Sequence, residues 1–145
     1  HNLLHSDMGQ SLTLFKDYWW GTSKQHPIDK ALKNIHSIDP NCKEIIALLT
    51  TGSFCPVHTE HIRMLEVVKI ELEKQGKTVL SGYLCPSHDE YVEYKMKKAG
   101  GLHIPGVHRF NMLQKALEDS SWLSADPWEI SQIGNTPATW TYHTL

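Results

Sequence analysis

The sequence has few cysteines, no long apolar run and no excess of charge of either sign. Its three cysteines, Cys42, Cys55 and Cys85, are odd in number, far apart and form no C-x-x-C. That argues against a disulfide framework and a structural zinc site, and fits a reducing compartment. No apolar stretch approaches the roughly 20 residues of a membrane-spanning helix, and no signal peptide is visible. Fourteen Lys and Arg stand against sixteen Asp and Glu, for a formal net charge of −2. With no basic tract, broad electrostatic binding of nucleic acid is not expected. Internal repeats and low-complexity segments are also missing. The chain opens on His1 rather than methionine, so a processed or cloned piece is expected, with His1 and His5 compatible with remnants of a tag.

What is present suits one soluble domain. The 145 residues are enough for a sizeable core, and 40% hydrophobic with 21% charged residues is ordinary. The most informative stretch runs from Ile45 to Glu66. Ile45 to Thr51 is a short apolar run rich in branched residues, which predicts a strand covered on both faces. Gly52 and Ser53 break it, and Pro56 stiffens the loop. From Ile62 the apolar residues recur at helical spacing, with Ile62, Leu65, Val68 and Leu72 on one face and Met64, Val67 and Ile70 widening it. A strand that feeds a small-residue turn and a helix N-terminus is a place to hold phosphate. The first N–H groups of a helix have no partner within it, and the helix dipole favours an anion. His58 and His61 sit at that spot.

Elsewhere the pattern is α/β. Ser11 to Trp20 predicts a helix that Gly21 stops, and Pro27 starts a short amphipathic helix through Ile28, Ala31, Leu32 and Ile35. Tyr18, Trp19 and Trp20 read as packing residues rather than a binding platform. Asp39-Pro40-Asn41 is a turn. The long helix should end near Gln75, with Gly76 beyond it. Thr78 to Leu84 is a second strand, parallel to the first through a right-handed crossover. Cys85 to Tyr91 follows at its C-terminal end, where open α/β sheets bind ligands. Gly100-Gly101 and Pro105-Gly106 bracket a flexible loop. Val107 to Leu117 is helical, Trp122 to Ala125 a third strand, and the chain turns loop-like around Gly134 and Pro137. The expected organisation is a helical extension over residues 1–44 and an α/β domain over 45–145.

The frame G-S-F-C-P-V-H-T-E-H-I-R-M-L-E resembles the nucleotidyltransferase superfamily with the motif (His/Thr)-x-x-His, and within it the eukaryotic nicotinamide or nicotinate mononucleotide adenylyltransferases. A second block, C-P-S-H-D-E-Y…K-K…G-L…H-R-F-N-M, is similar to a stretch of that family at Pro86, Asp89, Tyr91, Gly101, Leu102, His108, Arg109 and Met112. It departs by an insertion between Tyr91 and Gly101. A third, S-S-W-L-S-A-D-P-W-E, is similar to S-x-W-x-x-x-D-x-W-E. The family's later signature Ile-Ser-x-Thr-x-x-Arg does not occur before Leu145, so the chain is expected to be the N-terminal part of such an enzyme.

The resemblance implies a Rossmann-like fold, a parallel sheet with helices on both faces, and transfer of AMP from ATP to nicotinamide or nicotinate mononucleotide with release of pyrophosphate. It implies Mg²⁺ carried by ATP; the cysteine usage, the charge balance and the lack of a long apolar run lead to the expectation of an intracellular place, in cytoplasm or nucleus, and of no nucleic-acid or membrane partner. Self-association is left open. Gly52, Ser53, Phe54, His58 and His61 would meet the ATP phosphates, with His58 and His61 also serving the chemistry. Lys95, Lys97 or Lys98 would meet the mononucleotide phosphate, and spacing does not choose among them. Trp122 would stack the pyridine ring, as aromatic faces do with cations. Trp128 reads as structural. Plainer readings stand beside these: loop histidines on a surface, tryptophans in a core, and K-M-K-K as a solvated face. Zinc binding by the two histidines lacks a third ligand and the usual i, i+4 spacing. Other superfamily activities, such as cytidylyl transfer or pantetheine-phosphate adenylyl transfer, and a non-catalytic nucleotide-binding role are the competing functions.

Overall fold

The structure, a computed structural model, describes residues 27–42 and 44–131. The expected helix over Ser11–Trp20 and the loop around Gly134 and Pro137 lie outside the described residues. Three parallel strands form one sheet in the order β1-β2-β3. β1 (Ile45–Gly52) pairs with β2 (Thr78–Pro86), and β2 with β3 (Leu123–Ala125). Parallel strands need crossovers, and helices supply them. α2 (Thr59–Lys74) joins β1 to β2, and α3 (Asp89–Ala99) with α4 (Gly106–Ala116) joins β2 to β3. α1 (Asp29–Ile35) precedes the sheet, and a 3-10 turn (Glu129–Ser131) follows it. This is the expected Rossmann-like α/β arrangement.

β2 is the middle strand, and Leu84 and Cys85 on it are 0% exposed. Leu65 of α2, Phe110 and Leu113 of α4, Leu117 and Leu123 close one core against it. Each fully buried Leu or Phe contributes about 1.5–3 kcal/mol relative to exposure. α2 ends as its sequence predicts, with Gln75 as C-cap and Gly76 at φ +81°. Asp39 makes the expected turn, its carboxylate accepting from the Asn41 N–H at 2.9 Å.

Two expectations are corrected, and one helix stands where no element was assigned. β1 is not covered on both faces: its residues alternate exposed and half-buried, with Ile45 50% and Leu49 38% exposed. Among the described residues it lies at a sheet edge. α1 turns its apolar residues outward, leaving Ile28, Leu32 and Ile35 exposed. Polar groups hold it instead. Lys30 Nζ donates to the carbonyls of Leu117 (2.8 Å) and Leu123 (2.7 Å), and Asn34 Nδ2 to those of Leu80 and Ser121. Two hydrogen bonds from a cation fix the helix at this contact. Finally, the stretch after Asp89 is a helix, α3. It has one buried side chain, Val92, and so no apolar stripe to read. Its acidic first turn (Asp89, Glu90) and basic last turn (Lys97, Lys98) suit the helix dipole.

Candidate functional site

The C-terminal ends of β1 and β2 bring two loops together. The Ser87 N–H donates to the Gly52 carbonyl at 2.8 Å, locking the turn after β2 to the turn after β1. Gly52 is small for a local reason. A Cβ there would stand 3.2 Å from the Phe54 ring, which folds back over it. Phe54 is 2% exposed and adopts φ +41°. That left-handed conformation costs a bulky residue on the order of 1–3 kcal/mol and persists only where its surroundings impose it. The Cys55–Pro56 bond is cis.

His58 is the N-cap of α2 and His61 its third residue. The His58 N–H donates to His61 Nδ1 at 3.2 Å, and the His61 N–H to the His58 carbonyl at 3.1 Å. His61 thus does what Glu or Gln does in a capping box. An accepting Nδ1 carries no proton, so the neutral ring carries it on Nε2, which is left as a donor. Burial, and then the neighbouring His58, lower the His61 pKa, which favours this neutral form. The two imidazoles stack with centroids 3.7 Å apart, and Phe54 meets His61 edge-on at 4.9 Å. The open N–H groups of a helix start, a neutral Nε2–H donor and a tight loop make an anion cradle.

α3 adds a cation. Lys95 Nζ donates to Ser53 Oγ at 3.3 Å, whereas Lys97 and Lys98 lie in the last turn, exposed. Of the three lysines left open by spacing, the structure brings Lys95 to the loop. Gly52, Ser53, Phe54, His58 and His61 are together there. Trp122 is not. It is 6% exposed, its Nε1 donates to Glu66 Oε1 at 3.0 Å, and Lys69 Nζ stands 5.6 Å from its ring centroid. A Cβ on Gly82 would come 2.7 Å from the indole, so protein packs on it at β2 as well. Trp122 is a core residue here, the plainer of its two readings.

Two groups of the site were matched in sequence but had no role. Arg109, 0% exposed, reaches from α4 to both loops, with Nη1 on the Ser53 carbonyl and Nη2 on that of Ser87. Glu129 is 3% exposed, and its carboxylate accepts from the His88 N–H at 3.4 Å. Its second oxygen has no partner among the described residues, and burial pushes its carboxyl pKa up. Sequence marks charged residues as surface by default. Only the H-R-F-N-M and W-E blocks hinted otherwise.

A strand–turn–helix loop at the C-terminal edge of a parallel sheet is where open, Rossmann-like α/β domains bind their ligands. A family model described as cytidylyltransferase-like matches residues 49–143, and the chain belongs to that family. Within it, the chain is similar to proteins named nicotinamide/nicotinic acid mononucleotide adenylyltransferase. That of Oryza sativa subsp. japonica is 40% identical over 90 residues, covering 62% of this chain and 33% of the rice protein. That of Arabidopsis thaliana is 36% identical over 106 residues, covering 73% and 40%. The Danio rerio protein named nicotinamide/nicotinic acid mononucleotide adenylyltransferase 2 is 39% identical over 93 residues, covering 63% and 28%. The chain spans about a third of the length of the curated relatives it matches.

Proposed function

We propose that this protein transfers AMP from ATP to nicotinamide or nicotinate mononucleotide, releasing pyrophosphate and forming NAD or its acid precursor. The observation that carries the reading is the neutral His61, whose Nδ1 is capped by the His58 N–H so that its Nε2–H is free for a phosphate. The names of the similar proteins support the acceptor.

The chemistry asks little of the protein beyond placement and charge. A phosphate oxygen of the mononucleotide attacks the α-phosphorus of ATP in line, and the bond to the β-phosphate oxygen breaks. The nucleophile is already anionic, so no general base is needed. Negative charge grows on the leaving pyrophosphate and on the equatorial oxygens. The Ser53 and Phe54 N–H groups, His58 and the His61 Nε2–H would donate to those oxygens, and Lys95 would offset the acceptor's charge. The donor set of the loop is N–H and ammonium groups, which suit phosphate oxygens rather than a metal. Among the described residues no three His, Cys, Asp or Glu side chains cluster to hold an ion. Mg²⁺ would therefore ride on the ATP phosphates and supply charge neutralisation there. No described helix is long and apolar enough to cross a membrane. We place the protein inside the cell, in cytoplasm or nucleus, with ATP and the mononucleotide as partners and no nucleic acid. Residues 1–44 are proposed as an extension to the nucleotide domain.

Incubation with ATP, Mg²⁺ and nicotinamide mononucleotide should yield NAD and pyrophosphate. Product from a different acceptor only, such as a cytidylyl acceptor with CTP, would sink this reading. His61→Ala should lower the rate by about 10²–10³-fold, the usual cost of one oxyanion donor. A thermal melt distinguishes that loss from unfolding, and an unchanged rate would remove His61 from the chemistry.

A further inference from the structure

Arg109 is the least exposed charged residue described, at 0%. Burying a guanidinium is costly unless its donors are met, and here they meet three separate loops. Nε donates to the Ile104 carbonyl at 2.9 Å, in the link between α3 and α4. Nη1 donates to the Ser53 carbonyl at 2.8 Å, in the turn after β1. Nη2 donates to the Ser87 carbonyl at 2.6 Å and to Asp89 Oδ1 at 2.9 Å, in the turn after β2. Only a planar fork with five donors serves three directions at once; a lysine ammonium is a point charge on a flexible stem.

The Ser53 bond has a consequence for the neighbouring N–H. The peptide joining Ser53 to Phe54 is trans, so its C=O and N–H lie in one plane and point in opposite directions. A Ser53 carbonyl held inward on Arg109 obliges the Phe54 N–H to point outward, on the side away from the core. Without that hold the peptide can turn over, since Phe54 stands at φ +41°, where few residues stay unaided.

We infer that Arg109 is a positioning residue of the phosphate loop: by anchoring the Ser53 carbonyl it aims the Phe54 N–H at the bound anion. This rests on the phosphate-binding reading of the loop proposed above. Arg109 itself, fully buried behind the loop, does not touch the ligand.

The test is a titration of the isotope-labelled full chain with inorganic pyrophosphate, reading backbone amide resonances, for the wild type, Arg109→Lys and Arg109→Met. Circular-dichroism melts run alongside. In the wild type the Phe54 amide should shift as pyrophosphate binds. In folded variants the dissociation constant should rise roughly tenfold or more, as expected for losing a charge-assisted bond, and the Phe54 shift should shrink, less in Lys than in Met. Folded variants that bind as the wild type does, with the same Phe54 shift, would overturn the inference. So would a wild type whose other loop amides move while Phe54 stays still. If no amide from Gly52 to His61 responds in the wild type, the phosphate reading itself fails, and the inference with it. If neither variant folds, the wild-type Nη1–H signal of Arg109 decides. It should move in step with Phe54 during the titration, and a static signal beside a moving Phe54 would overturn the role.

Discussion

His61 carries two duties on one ring. Nδ1 accepts the helix cap and Nε2 is left as a donor, so the ring must be neutral to do both. This links stability to pH with a definite sign. The folded pKa lies below the unfolded value because burial disfavours the cation. The stabilising bond is therefore whole above the unfolded pKa of about 6.5 and is lost progressively as pH falls below it. His61→Gln keeps an acceptor at the same helix position and does not titrate. Between pH 7.5 and 5.5 the wild type should lose more melting temperature than His61→Gln. Parallel losses would show that the cap bond does not hold in solution. His58 and His61 were legible in sequence because a histidine pair in a glycine-serine turn before a helix is a local pattern. The tautomer was not, because it depends on where a backbone N–H points.

The elements were read well where an apolar period existed and poorly where it did not. α2 and α4 announced themselves by stripes ending on Gln75-Gly76 and Leu117. α3 has charges at both ends and one buried residue, so its helicity lies in capping and dipole, which a stripe search does not see. The same helix shows which lysine meets the loop: Lys95 bonds Ser53, helical geometry puts Lys97 on the opposite face, and Lys98 lies one turn further along the axis. Close packing of β2 against β3 is equally a matter of element geometry. A Cβ on Gly82 would lie 2.6 Å from Leu123 Cδ2 and 2.7 Å from Trp122 Cζ3. Both neighbours are buried and have little room to move. Gly82→Ala should cost about 1–3 kcal/mol in chemical unfolding, the range for overpacking. A midpoint unchanged from wild type would mean that β3 shifts freely.

At the scale of the molecule, Lys30 and Asn34 tie α1 to Leu117, Ser121 and Leu123, 80 or more positions away, and to Leu80 at 46. Lys30 is 7% exposed, so its bonds are made away from water. Lys30→Met keeps the stem and removes the ammonium donor from the carbonyls of Leu117, which keeps the Ser120 N–H, and Leu123. It should cost about 1–3 kcal/mol, read as a lower urea midpoint. An unchanged midpoint would show α1 to be an ornament on the domain rather than part of it. No local pattern predicts this inversion, because a charged residue facing inward needs acceptors that only distant chain segments supply.

The sequence by itself determined the α/β order, the parallel strand pairs, the ends of the long helices and the loop where an anion would sit. Those properties depend on residues close together in the chain: branched runs, helical periods, glycine turns and a histidine frame. Tertiary structure alone decided that β1 has an open face, that α1 docks by a buried lysine, that Trp122 belongs to the core and that Arg109 holds the turns after β1 and β2. Each of those depends on what lies across space from a residue, and burial and hydrogen-bond partners are not encoded in spacing. The loop from Gly52 to His61 belongs to both groups. Its place was written locally, and the Ser53 carbonyl within it is held by an arginine 56 residues on.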